Sequence, residues 1–122
     1  DMRVLLVDRS KSWRLVQQRC FRGLGIREIV AVERESEAWG LFQEQDFDIV
    51  FIDINWSNLS SIELITQIRN EHPNLPIILL TSEADRCHLV TAMKAGITDY
   101  LMKPCSPETI QTKLSKWLGC LV

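Results

Sequence analysis

The chain has 122 residues, a length that fits one domain, and its 46% hydrophobic and 25% charged residues are ordinary for a folded globular protein. A formal net charge of −2 gives no electrostatic case for binding nucleic acid or anionic membranes. No apolar run approaches the length of a membrane span, and no charged-then-apolar leader opens the chain.

Cys20, Cys87, Cys105 and Cys120 form no C-x-x-C pair, and His72 and His88 stand at none of the usual ligand spacings, which argues against a zinc site. Free thiols in a domain of this size point to a reducing compartment, so the cytoplasm is the expected location. The chain starts at Asp1 rather than Met, so a piece of something longer is expected, with residues 1–122 as a single domain.

Arg3 to Asp8 is a short apolar run ending on a carboxylate. Ser10 is placed to cap a helix carrying Trp13, Val16, Cys20 and Leu24 on one face, with Gly23 and Gly25 as stops. Ile29 to Val32 reads as a second strand, and Glu33 to Gln45 as an amphipathic helix with Ala38, Leu41 and Phe42 on its apolar side. Phe47 to Asp53 is the third strand, rich in β-branched and aromatic residues and buried on both faces. Asp53 ends it, either as a functional carboxylate or as a simple cap. Ser60 and Glu63 have the spacing of a capping box for a helix that must stop before Pro73. Pro76 to Leu80 is a fourth strand ending at Thr81 and Ser82, and Asp85 to Ala95 is a helix stopped by Gly96. Thr98 to Met102 is a fifth strand ending at Lys103 and Pro104, and Pro107 opens a last helix with Ile110, Leu114, Trp117 and Leu118 on one face.

Strand and helix alternate five times, which implies a parallel sheet covered on both faces. Asp8, Asp53, Thr81 and Lys103 then lie together on the carboxyl edge, where such sheets bind ligands. Two carboxylates, a hydroxyl and an ammonium converging there form a far more specific pattern than any one of them alone.

Val4–Asp8, Asp48–Asn55, Ile77–Thr81 and Ala95–Pro104 together resemble the receiver domain of two-component response regulators, over nearly the whole chain. The resemblance implies a flavodoxin-like doubly wound α/β fold, with five parallel strands in the order 2-1-3-4-5 and five helices. It further implies that Asp53 accepts a phosphoryl group from a histidine kinase or phosphotransfer protein, and that Thr81 and Lys103 bind that group. Asp8, Asp53 and the backbone carbonyl of Asn55 would hold Mg²⁺. Tyr100 and Thr81 would form the switch, and Pro104 would follow a cis peptide. The domain would itself be no turnover enzyme. An output domain or partner protein would read Leu89, Met93, Tyr100, Met102 and Ile110, although most of these suit plain packing better, since apolar helix positions usually face the core; a homodimer is a further option.

Two departures stand out. Where the family has a second acid after the first strand, this chain has Arg9. Pointed inward, Arg9 would balance the pocket and weaken Mg²⁺ binding, since unit charges about 4 Å apart interact by about 4 kcal/mol at an effective dielectric of 20. Pointed outward, it would leave Asp8 and Asp53 free to hold Mg²⁺ weakly through water. The alternative function is thus a pseudo-receiver, an interaction module with Arg9 in place of the metal. The loop Trp56–Ser61 also departs from the family pattern, and Trp56 is placed either to shield the pocket or to pack on a helix. Flavodoxin-type redox chemistry and haloacid-dehalogenase-type phosphatase chemistry fit poorly: no phosphate loop follows the first strand, and Asn55 stands where the phosphatase needs an aspartate.

Overall fold

The structure is a computed structural model and describes residues 2–54, 56–57, 59–83 and 85–119. The strands are β1 (Arg3–Val7), β2 (Glu28–Val32), β3 (Ile49–Asp53), β4 (Ile77–Thr81) and β5 (Asp99–Met102). The helices are α1 (Lys11–Gly23), α2 (Glu35–Glu44), α3 (Ser60–Glu71), α4 (Arg86–Ala95) and α5 (Pro107–Leu118). All strands pair in parallel in the order β2-β1-β3-β4-β5, the order the family resemblance implied. No helix of the described residues is long and apolar enough to cross a membrane.

Successive strand residues face opposite sides of a sheet, and both sides are packed here. Leu5, Val7, Val50, Ile52 and Leu79 join Ala38 and Phe42 of α2, Leu64, Ile65 and Ile68 of α3, and Ala92 of α4 in one core. Val4, Leu6, Phe51, Ile78, Leu80 and Leu101 join Phe21 of α1 with Ile110 and Leu114 of α5 in the other. Phe21 and Phe51 lie tilted with ring centroids 5.0 Å apart, a geometry that contributes about 0.5–1.5 kcal/mol beyond burial. This double burial is why the strands read as continuous apolar runs.

Among the described residues, side-chain caps start three of the five helices. Ser10 accepts from Trp13 N at the start of α1, and Asp85 accepts from His88 N at the start of α4. Ser106 caps α5 with Pro107 in its first turn, and Ser106 and Thr109 form a reciprocal capping box that the sequence reading did not single out. The box expected at Ser60 and Glu63 is not formed. Leu59 occupies the cap position, and Glu63 N donates to Leu59 O as an ordinary intrahelical bond. The helix starts a residue early because Ser61, only 3% exposed, is drawn under the end of β3.

The inward face of α1 also needs correction. Val16 is exposed, and the residues turned inward are Gln17 and Phe21. Gly96 ends α4 with φ 120°, and a Cβ there would lie 2.7 Å from the Cγ of Arg69. Arg69 itself donates to the Gly96, His72 and Pro73 carbonyls and to Thr98 Oγ1, tying α3 to the α4–β5 turn. The peptide between Lys103 and Pro104 is cis, as the resemblance implied.

Candidate functional site

The alternation that packs the two cores also decides which side chains meet at the carboxyl edge. Continued past the strand ends, the side holding Leu6, Phe51 and Leu101 carries Asp8, Asp53 and Lys103, two residues further along each strand. The ladders extend one step beyond β1 and β5: Asp8 N donates to Val32 O at 3.0 Å, and Lys103 N donates to Thr81 O at 2.8 Å. Asp8 and Lys103 are therefore placed by sheet hydrogen bonds rather than by loop conformation.

Lys103 reaches across the edge to both acids. Its Nζ lies 2.6 Å from Asp8 Oδ2 and 2.9 Å from Asp53 Oδ1, with 6% of its side chain exposed. Its ammonium also stands 5.2 Å from the centroid of the Trp13 ring, within cation–π range. Asp8 is almost completely buried, and a buried carboxylate must have its lone pairs satisfied. Besides Lys103, it accepts from Ser10 N at 2.9 Å and from Gln17 Nε2 at 3.1 Å. Arg14 donates to the Asp8 carbonyl at 2.7 Å and holds the end of β1 against α1.

Gln17 is thus a site residue that the sequence reading missed. Its only signal was a polar residue one position off an apolar helix stripe, which ordinarily means exposure. Trp13, taken as packing, also stands beside the site.

Asp53 is more open than Asp8, with 23% of its side chain exposed. Burial pushes its carboxyl above the ordinary carboxylate range; the hydrogen bond from Lys103 opposes this, and the negative charges of Asp8 and Glu35 add to it. A cleft of about 850 Å³ opens over it, lined among others by Asp8, Arg9, Trp13, Trp56, Thr81 and Lys103.

Arg9 points away from Asp53. Its guanidinium lies 3.6 Å from Glu35 Oε1 at the start of α2, with half of the side chain exposed. Among the described residues, the ion pairs of Asp53 run to Lys103 and that of Arg9 to Glu35. The inward arrangement considered from sequence is therefore not the one adopted. Two carboxylates face one ammonium, so the pocket keeps a net negative charge. Glu35 is the second residue missed from sequence. Its other oxygen accepts from Ser61 Oγ at 3.1 Å, and Ser61 Oγ lies 3.4 Å from the Asp53 carbonyl oxygen.

Thr81 is buried and lines the same cleft as Asp53. Its hydroxyl donates to Glu83 O at 2.6 Å and accepts from Glu83 N at 3.0 Å. Trp56 Nε1 donates to the same Glu83 carbonyl at 3.1 Å, and the Trp56 ring stacks on His88 with centroids 4.3 Å apart. Trp56 thereby does both things considered for it: it walls the cleft and packs against α4. Asn55 lies outside the described residues.

Tyr100 and Met102 on β5 and Met93 on α4 are exposed, 40%, 42% and 64% respectively. Ile110 is buried in the core, and Leu89 packs against the core with partial exposure. For these two the plain-packing alternative is the one adopted. Val90, 41% exposed, joins the surface group instead. Cys20, Cys87 and Cys105 are free thiols, and Cys120 lies outside the described residues.

Comparison with known proteins agrees with this architecture. The chain is 31% identical to a CheY homolog, a chemotaxis protein of Campylobacter jejuni, over 97% of its own length and 93% of the relative's. It is likewise 31% identical to the chemotaxis protein CheY1 of Helicobacter pylori, over 97% and 98% of the two chains. Among solved structures, CheY4 of Vibrio cholerae superposes with a TM-score of 0.86 at 27% identity, covering 95% of this chain and 98% of that one. The receiver domain of the sensor histidine kinase PA1611 from Pseudomonas aeruginosa, solved with a magnesium ion coordinated in its active-site cleft, gives 0.86 at 27% identity, covering 98% of each chain. The sequence profile of the response regulator receiver domain matches residues 4–115. With the β2-β1-β3-β4-β5 sheet and the acids and lysine gathered at its carboxyl edge, this chain belongs to the response regulator receiver domain family.

Proposed function

We propose that this receiver domain takes a phosphoryl group onto Asp53 from the phosphohistidine of a histidine kinase or phosphotransfer protein. An Asp53 carboxylate oxygen attacks phosphorus, the phosphorus–nitrogen bond breaks, and the imidazole nitrogen leaves with the bonding pair. The observation that carries this reading is the Lys103 ammonium, which touches Asp53 at 2.9 Å on the floor of an open cleft. Phosphoryl transfer needs positioning and charge neutralisation more than covalent help from the protein, and a fixed ammonium supplies part of both.

The donor set fits a hard divalent cation. Asp8 and Asp53 share one ammonium, and Mg²⁺ commonly uses one or two carboxylates while keeping several waters. These two acids, with the Asn55 carbonyl as the family pattern implies, would hold Mg²⁺. Bound there, the ion would neutralise phosphoryl oxygens. With an outward Arg9, the lost second acid weakens this site without an added cation inside it.

Thr81 would leave the Glu83 carbonyl to hydrogen-bond the phosphoryl group, freeing the Trp56–Glu83 link and letting Tyr100 turn inward. Met93, Tyr100, Met102 and Val90 would carry the change to an output domain, a partner protein or a second copy of the chain. We further place the protein in the cytoplasm, with residues 1–122 forming one receiver domain that performs one self-catalysed transfer rather than turnover.

The test is incubation with acetyl phosphate and graded Mg²⁺, followed by intact-mass spectrometry. One added phosphoryl group that maps to Asp53 and is lost in Asp53→Asn is expected. No modification at any Mg²⁺ concentration would refute the assignment.

A further inference from the structure

We infer that Arg9 is a second phosphoryl-binding cation, held in reserve by Glu35 and released to the site when Asp53 is phosphorylated. The inference rests on reading Asp53 as the phosphoacceptor, and concerns how this chain compensates for the missing second acid.

Arg9 follows Asp8 directly and stands on the wall between two clefts. One holds Asp53, Thr81 and Lys103; the other, of about 470 Å³, lies between α2 and α3 and is lined by Glu35, Trp39, Glu63 and Leu64. In the resting arrangement Arg9 sits with Glu35, yet the nitrogen–oxygen distance is 3.6 Å and half of the Arg9 side chain is exposed. That is longer than a charge-assisted hydrogen bond, and exposed pairs of this kind contribute little. Glu35 is different. Its side chain is 14% exposed, and the bond from Ser61 anchors it to the end of β3 independently of Arg9. The glutamate is fixed and the arginine is loosely parked.

Phosphorylation changes the balance. A carboxylate carrying one charge becomes an acyl phosphate carrying about two. Together with Asp8 this sets about three negative charges against Lys103 and a weakly held Mg²⁺. Arg9 is the other cation lining the Asp53 cleft. Its planar fork suits phosphoryl oxygens, which accept two parallel hydrogen bonds from it. The preference for close contacts with the phosphoryl group over a long, half-exposed contact with Glu35 supplies the driving force for the swing. Departure of Arg9 strips Glu35 of its cation at the first turn of α2, so the phosphorylated state is felt in the α2–α3 cleft, beside Trp39, as well as on α4 and β5.

Beryllofluoride, which mimics a phosphoryl group on a carboxylate, provides the probe. Its affinity for the full chain is read by tryptophan fluorescence across graded Mg²⁺, in wild type, Arg9→Gln, Arg9→Lys, Glu35→Gln and the Arg9→Gln/Glu35→Gln double variant. Each variant is first checked for cooperative thermal unfolding. Arg9→Gln should weaken binding about tenfold or more, as expected for lost hydrogen bonds to a charged group, with Arg9→Lys intermediate. Glu35→Gln should tighten binding about threefold by freeing the arginine, and should have no effect once Arg9 is gone. Wild type that takes neither beryllofluoride nor acetyl phosphate overturns the phosphoacceptor reading itself. Wild type that binds while Arg9→Gln matches it overturns only the role of Arg9. Weaker binding in Glu35→Gln overturns the reserve role of Glu35.

Discussion

Removing the Lys103 ammonium should be among the most damaging single changes in this domain, although the residue ends a strand and its neighbour Met102 is exposed. Lys103→Met keeps an unbranched side chain of similar length and deletes the charge. What remains is a fully buried Asp8 side chain and a mostly buried Asp53 that face one another without the cation between them. The ammonium makes two close contacts, at 2.6 and 2.9 Å. Hydrogen bonds to charged groups contribute about 1.5–3 kcal/mol each, and breaking a buried ion pair by removing one partner costs about 3–5 kcal/mol because the other charge stays buried. The first route gives about 3–6 kcal/mol and the second about 3–5 kcal/mol in metal-free buffer, either one a large share of the stability of a domain this size.

Urea unfolding followed by circular dichroism measures the loss, and Asp8→Asn with Asp8→Asn/Lys103→Met closes a double-mutant cycle. The expected coupling between Asp8 and Lys103 is at least about 2 kcal/mol, since the double variant no longer buries the uncompensated charge of Asp8. A loss under about 1 kcal/mol in Lys103→Met, or independent effects in the cycle, would refute the view that this ammonium holds the two acids in place.

Two further outcomes follow from the same network. Burial holds the Asp53 carboxyl above its unfolded value, so ionisation of Asp53 costs stability at neutral pH. That cost disappears as pH falls below the unfolded carboxylate value of about 3.9. Asp53→Asn should therefore raise the thermal midpoint at pH 7 and lose the advantage in acid; an advantage that stays constant with pH would show another cause. Gln17→Leu should cost about 2 kcal/mol in urea unfolding, because it removes a 3.1 Å hydrogen bond to a buried carboxylate while retaining side-chain bulk, and an unchanged midpoint would mean that Asp8 finds a replacement donor.

The functional corner was readable in the sequence to different depths. Asp8, Asp53, Thr81 and Lys103 each follow an apolar run, and in a parallel sheet the ends of such runs must share one edge. Trp13 beside Lys103 and Gln17 beneath Asp8 were not readable in the same way. Both lie on a helix whose apolar stripe suggested Val16 as an inward residue, whereas Val16 is exposed and Gln17 is buried with its amide donating to Asp8. Leu89 and Val90 show the same limit: on adjacent helix positions, which one faces the core depends on where α4 settles against β4 and α3.

The sequence by itself determined a five-stranded parallel sheet covered on both faces and the cluster of acids and lysine at one edge, because alternating strand and helix patterns leave few other arrangements, while the strand order followed from the resemblance to the receiver family. Only the tertiary structure decided the orientation of Arg9. A long, charged side chain at a strand end can face either of two clefts, and nothing in its own neighbourhood in the chain selects one. The choice is made by Glu35, 26 residues further on, which Ser61 of α3 fixes against the end of β3. Those contacts between distant segments leave the site around Asp53 with one net negative charge.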